Sequence, residues 1–204
     1  VVGEHRPGLT VELQSSNFAL PALDKVVRRE LDLAFGRWTD VPAGIASRIV
    51  AIESLVLVVA DGHRLAHRDR ASMDELRDER WVTLPSTLGS VLITELRRLA
   101  TGAGFVPVVV QEAPDTSTLL ALVGAKIGCS LTLSSVADNQ TGGGVAYIGI
   151  DEATEPVLVR MAWRADTTNA ALRALLSLTD ELLPDPRVAP AVCSFAEPTG
   201  RELF

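Results

Sequence analysis

Twice along this chain a strand-like apolar run breaks for only a few residues and is followed by another. Residues 47–52 and 55–60 (LVLVVA) are separated by Glu53 and Ser54, and residues 145–150 and 157–164 by a break that holds the acidic stretch 151–155. Such breaks mark a chain that leaves one sheet for another and later returns. They predict two lobes with a cleft between them, one lobe built from both ends of the chain and one from its middle. The boundaries that follow are 1–52 plus 155–184 for lobe I and 53–154 for lobe II. Residues 185–204, which hold Pro, Ala and Gly without periodicity, form a C-terminal tail.

Elsewhere the apolar period switches repeatedly between two and about 3.6, the pattern of an α/β chain. Residues 9–14 (LTVELQ) alternate and read as a strand. Pro21 suits the first turn of a helix whose Leu20, Leu23, Val26 and Val27 share one face. Residues 31–35 (LDLAF) follow as a second strand, so a parallel βαβ unit with a right-handed crossover is expected. Ser72 and Glu75 have capping-box spacing at the start of a short helix over 72–77. Strands are expected over 81–84 and 128–133, and helices over 88–100 and 116–125. The continuous apolar run 106–112 suits a strand covered on both faces. Residues 138–144 read as a polar, Gly-rich loop, and Asn169 caps a last helix that Pro184 stops.

Composition narrows the function classes. The 204 residues are 47% hydrophobic and 22% charged, enough to bury a core. The net charge of -7 lacks the basic footprint for gripping nucleic acid unaided, or for attraction to an anionic membrane. Apolar stretches such as 49–60 fall short of the ~20 residues of a membrane span, and no secretory signal opens the sequence. Cys129 and Cys193 are too few for a disulfide framework, so a reduced, cytoplasmic chain is expected. His63 and His67 are four apart but have no evident third ligand, so neither a metal nor another cofactor is expected. There is no nucleophile elbow and no phosphate-cradling glycine loop, so no enzyme is expected.

Four segments carry a resemblance in their order and spacing: RELDLAFGR (29–37), ESLVLVVADGHRLA (53–66), LRDERWVTL (76–84) and LLALVGAKIGCSL (119–131). Together they resemble the effector-binding domain of LysR-type transcriptional regulators over most of residues 1–183. The resemblance implies an α/β fold of two Rossmann-like lobes joined by two crossover hinges, the type II periplasmic-binding-protein fold. It also implies a small-molecule effector in the interlobe cleft and a homodimer or homotetramer. DNA would be reached only through an upstream helix-turn-helix domain outside this sequence. The family usually has Pro where Arg64 stands, often Gly at Lys126 and often Pro at Leu133. In the family, a strand and most of a helix also precede the stretch equivalent to Val1-Val2-Gly3. That strand is expected either from residues ahead of Val1 or from another chain. A solute-binding protein of a transport system, with the same fold, is the alternative; a prephenate-type dehydratase lacks its Thr-Arg-Phe signature here.

Ligands of open α/β sheets bind beyond the carboxyl ends of strands. After the first strand come Ser15, Ser16, Asn17 and Phe18; after 81–84 come Ser86, Thr87, Gly89 and Ser90; after 106–112 come Thr116 and Ser117. Hydroxyls and free N–H groups at helix starts favour an anion, and Arg37, just past LDLAF, adds a full positive charge. In the resemblance, Arg37 matches a position that contacts effector in relatives responding to aromatic acids. The expected effector is therefore a small organic anion, with aromatic carboxylates among the candidates. Taken singly, each hydroxyl is equally accounted for by helix capping, and Arg37 by a surface salt bridge. Phe18 and Trp38 are candidates for the apolar part of a pocket or for core filling.

Overall fold

A computed structural model describes residues 8–14, 19–85, 90–140 and 143–187. Helix α1 (Ala19–Val27) leads into β1 (Leu33–Gly36) and the long strand β2 (Ile45–Glu53). One residue later β3 (Leu55–Ala60) begins, followed by β4 (Arg70–Ala71), a 3-10 turn (Met73–Leu76) and β5 (Arg80–Thr83). Helix α2 (Val91–Gly102), β6 (Val108–Glu112), α3 (Thr116–Gly124), β7 (Ser130–Leu133) and α4 (Ser134–Asn139) come next. Strands β8 (Val145–Ile150) and β9 (Val157–Arg164) and helix α5 (Ala170–Leu182) complete the order.

Strands β1, β9 and β2 form an antiparallel sheet with β9 in the centre. The middle of the chain forms a second sheet in the order β4-β8-β3-β7. The parallel pair β5-β6 continues it: Val82 donates to the Cys129 carbonyl and the Cys129 N–H to Arg80, each at 2.8 Å. Both short breaks therefore fall where the chain changes sheets, between β2 and β3 and between β8 and β9. Trp81, Leu57, Val59, Met73, Leu96 and Ile148 are fully buried on one face of the second sheet. Val58 and Val82 pack against Leu119 and Val123 of α3 on the other. A smaller core joins α1 to the first sheet through Leu23, Val26, Trp38 and Ala162. Each such large aliphatic contributes roughly 1.5–3 kcal/mol by leaving water. No described helix is long and apolar enough to cross a membrane.

Three expectations need correction. Residues 9–14 form no ladder, and Val11 and Leu13 are 50% and 86% exposed. Alternation supplies two faces, but a strand also needs a neighbour for its N–H and C=O groups, and β1 pairs only with β9. The parallel βαβ unit is thus absent among the described residues. Strand β6 forms, yet it is exposed along its whole length, because it lies at an edge beside β5 alone. Residues 138 and 139, expected in a loop, close α4. By contrast, Asn169 accepts from the Ala171 and Leu172 N–H groups as the cap of α5. Glu75 accepts from the Ser72 N–H, as the capping-box spacing predicts.

Helices α1, α2 and α3 end in the same way. Arg29, Gly104 and Lys126 take φ values of +64°, +73° and +63°. After α3, the Lys126 N–H donates to Val123 and the Ile127 N–H to Leu122, closing the last turn with two crossed hydrogen bonds. Only glycine adopts that left-handed geometry freely; other residues lose about 1–2 kcal/mol there. Lys126 is the position at which the resembling family often has Gly. Lys126→Gly is expected to raise stability by about 1 kcal/mol, or about 2–4 °C in melting temperature for a chain of this size. A calorimetric melt checks it, and an unchanged or lowered melting temperature would contradict the strain assignment.

Candidate functional site

Where the chain passes from β2 to β3, Glu53 is a carboxylate only 5% exposed, within a run that is otherwise largely apolar. A buried charge requires partners. Arg37, immediately after β1, supplies two: its Nε donates to Glu53 Oε2 at 2.5 Å and its Nη2 to Oε1 at 2.9 Å. The Ser135 hydroxyl of α4 donates to Oε1 as well. One residue on, the Ser54 N–H donates to Ser134 Oγ at 3.2 Å, and the Ser134 N–H returns to the Ser54 carbonyl at 2.9 Å. The end of the first sheet, the crossing and the start of α4 are thereby tied into one polar node. Gly36 is required beside it, because the Trp38 indole lies where a Cβ would be, within 2.4 Å. Trp38 itself is buried in the first core and is not among the described lining of the cavity below.

A cavity of about 130 Å³ opens next to this node. Arg37 from the first sheet faces Leu84, Ser90, Val91, Leu92, Thr116, Thr132, Leu133 and Val136 from the second. Arg37 is the only charged residue among the described lining, and its side chain is 36% exposed. The cavity floor is the carboxyl end of β7, where Thr132 and Leu133 are buried. Ser90 precedes α2 without making a side-chain capping bond. Helix α3 is capped by Asp115, whose carboxylate takes the Thr118 N–H at 2.8 Å and so leaves Thr116 free of that task. One cation, three hydroxyls and an apolar wall form a surface for a small polar anion.

Of the residues singled out in the sequence, Arg37, Ser90 and Thr116 meet on this cavity, while Ser117 is exposed and off it. Ser15, Ser16, Asn17, Phe18, Ser86, Thr87 and Gly89 lie outside the described residues. Glu53 and Thr132 were not singled out in the sequence, and Ser134 and Ser135 stand out there only as hydroxyls that follow the strand 128–133. Glu53 had a readable signal, an acid flanked by apolar strands; Thr132, inside a buried strand, had none. His63 is occupied, with Nε2 3.0 Å from Glu79 and Nδ1 accepting from the Leu65 N–H. Burial pushes the Cys129 thiol well above its ordinary pKa, which leaves it chemically quiet.

Burial pushes the Glu53 pKa up, but hydrogen bonds from Arg37 and Ser135, with the Arg37 charge, outweigh it and hold the carboxyl below its ordinary 4.5. A carboxylate depressed in the folded state contributes stability that is complete above the unfolded pKa and lost as pH falls through the folded one. Glu53→Gln abolishes that contribution. In acid melts below about pH 4.5, the wild-type melting temperature should fall more steeply than the variant's. Parallel curves would show that Glu53 is not held as described.

The profile of the LysR substrate binding domain matches residues 3–184. The HTH-type transcriptional regulator ShiR of Corynebacterium glutamicum (strain R) is 29% identical over 131 residues, covering 64% of this chain and 44% of ShiR. The chain spans about half the length of the curated relatives it matches. Among solved structures, the BenM effector binding domain with its effector benzoate superposes with a TM-score of 0.72 at 18% identity, over 93% of this chain and 86% of that one. The effector binding domain of QuiR in complex with shikimate gives 0.66 at 20% identity, over 79% and 76%. The fold is the type II periplasmic-binding-protein fold. By its matched residues and its architecture, this chain belongs to the LysR substrate-binding-domain family.

Proposed function

We propose that this chain is the effector-sensing and oligomerising part of a LysR-type transcription regulator, and that its effector is a small organic anion held between the two sheets. Arg37 carries the reading: a single guanidinium from the first sheet lines a cavity otherwise built from the second. An anion seated there touches both sides of the gap at once. Benzoate in BenM and shikimate in QuiR are both carboxylates, and they set the chemistry to try first. Residues 1–52 with 155–184, and 53–154, act as the two lobes, with 185–204 as a tail. The protein works in the cytoplasm and reaches DNA through a helix-turn-helix segment outside this sequence.

Sensing on this scheme is a shift of population. A ligand touching both lobes binds the closed arrangement better than the open one. A ratio of about 100 between the two affinities supplies roughly 2.7 kcal/mol of bias, within the usual range of allosteric coupling. The site residues assigned to the anion are Arg37, Ser90, Thr116 and Thr132. Thermal-shift and calorimetric titrations with benzoate, shikimate and related carboxylates should identify a stabilising ligand. Arg37→Ala should weaken it about 10-fold or more through loss of the charged hydrogen bonds. Unchanged affinity in that variant would remove Arg37 from the site.

Strand β6 supports self-association. Its sequence is that of a covered strand, yet Val108, Val109 and Val110 are 61%, 39% and 41% exposed, as is Val106 just ahead of it at 84%. An apolar edge strand of this kind pairs readily with another chain. A second copy as the cover gives the homodimer or homotetramer that the family membership leads us to propose. Light scattering should find an oligomer, and Val108→Lys with Val110→Lys should convert it towards monomer. A wild-type monomer at micromolar concentration would contradict this assignment.

A further inference from the structure

We infer that Glu53 sets the charge class of the effector: by occupying one edge of Arg37 it makes the cavity select monoanions over dianions. The inference rests on the reading of that cavity as the effector site. A guanidinium has five N–H donors along three edges. Glu53 takes the edge formed by Nε and Nη2, at 2.5 and 2.9 Å. Nη1 has no partner among the described residues, so the end-on edge of Arg37 is the one left for a ligand. The geometry also fixes which group is sealed and which is open: Glu53 is 5% exposed and the Arg37 side chain 36%.

The charge balance decides the ligand. Glu53 remains ionised at neutral pH, held so by Arg37 and Ser135 against the opposing effect of burial. Arg37 and Glu53 together are therefore neutral, and no other charged residue is among the described lining. One ligand carboxylate gains the remaining donors of Arg37. A second would meet the hydroxyls of Ser90, Thr116 and Thr132 without a cation, in the repulsive field of Glu53. Neutral hydroxyls suit polar but uncharged groups elsewhere on the ligand, and Leu84 and Val91 suit an apolar body. Glu53 acts through Arg37 and so is a positioning residue.

The test is calorimetric titration of wild type, Glu53→Gln and Glu53→Asp near pH 7 with pairs matched in carbon skeleton: 2-methylbenzoate and phthalate, butyrate and succinate, hexanoate and adipate, with benzoate and shikimate as further monoanions. Wild type should bind the monoanion of a productive pair about 10-fold or more tightly than its dianion. Glu53→Gln should shrink that ratio by a similar factor, and Glu53→Asp, which keeps the charge, should restore it. A merely structural role would change both affinities together and leave the ratio alone. A dianion bound by wild type as tightly as its monoanion overturns the proposal without any variant having to fold. A ratio unmoved by Glu53→Gln overturns it too, while Arg37-dependent monoanion binding would leave the effector reading standing. Absence of binding by every carboxylate in wild type overturns the effector reading and this proposal together.

Discussion

A carboxylate buried where the chain steps from one sheet to the next has to be satisfied, and much of the site follows from how it is. Glu53 sits at the end of β2, where only Ser54 separates it from β3. Isolated, its charge would cost several kcal/mol in so dry a place. Arg37 and Ser135 offset that cost by donating hydrogen bonds to both of its oxygens. The same contacts hold the guanidinium still, because Nε and Nη2 are fixed by both carboxylate oxygens. The only cation of the described cavity lining is thus held in one orientation by Glu53. A flexible arginine would have to lose rotamer freedom on binding; this one has lost much of it already.

The two sheets are unlike in how firmly they are built. The second is large, covered on both faces over most of its width, and contains most of the fully buried side chains. The first has three strands, a small core under α1 and an open edge at β1, where Phe35 is 48% exposed. Arg37 follows β1 of the smaller sheet, while Thr132 lies in β7 of the larger and Ser90 and Thr116 at the starts of α2 and α3, so the cavity is bounded by parts with separate cores. That separation is what the proposed coupling of ligand binding to relative movement rests on.

How far this could be read from the residues depends on whether a feature is local. The two short breaks between strands are local, and both fall where the chain changes sheets. Asn169 is local, and caps α5. Lys126, standing where the resembling family often has Gly, takes the left-handed geometry that glycine favours. What failed depends on neighbours far away in sequence. Residues 9–14 alternate like a strand but have no ladder partner among the described residues, and β6 is apolar like a covered strand but none of the described residues covers it. Of the residues expected at the site, Arg37, Ser90 and Thr116 line the cavity; each stands in a connection that follows a strand. Thr132 was hidden because a buried hydroxyl in an apolar strand looks the same whether it packs or lines a cavity. Ser135 became meaningful only once Glu53, 82 positions away, was found beside it.

The most direct measurement is a crystal structure of the wild-type chain with a bound monocarboxylate. The account predicts the ligand carboxylate on the Nη1 edge of Arg37, between the two sheets, with both Arg37–Glu53 hydrogen bonds intact. A carboxylate bound elsewhere, or one that displaces Glu53 from Arg37, would contradict it.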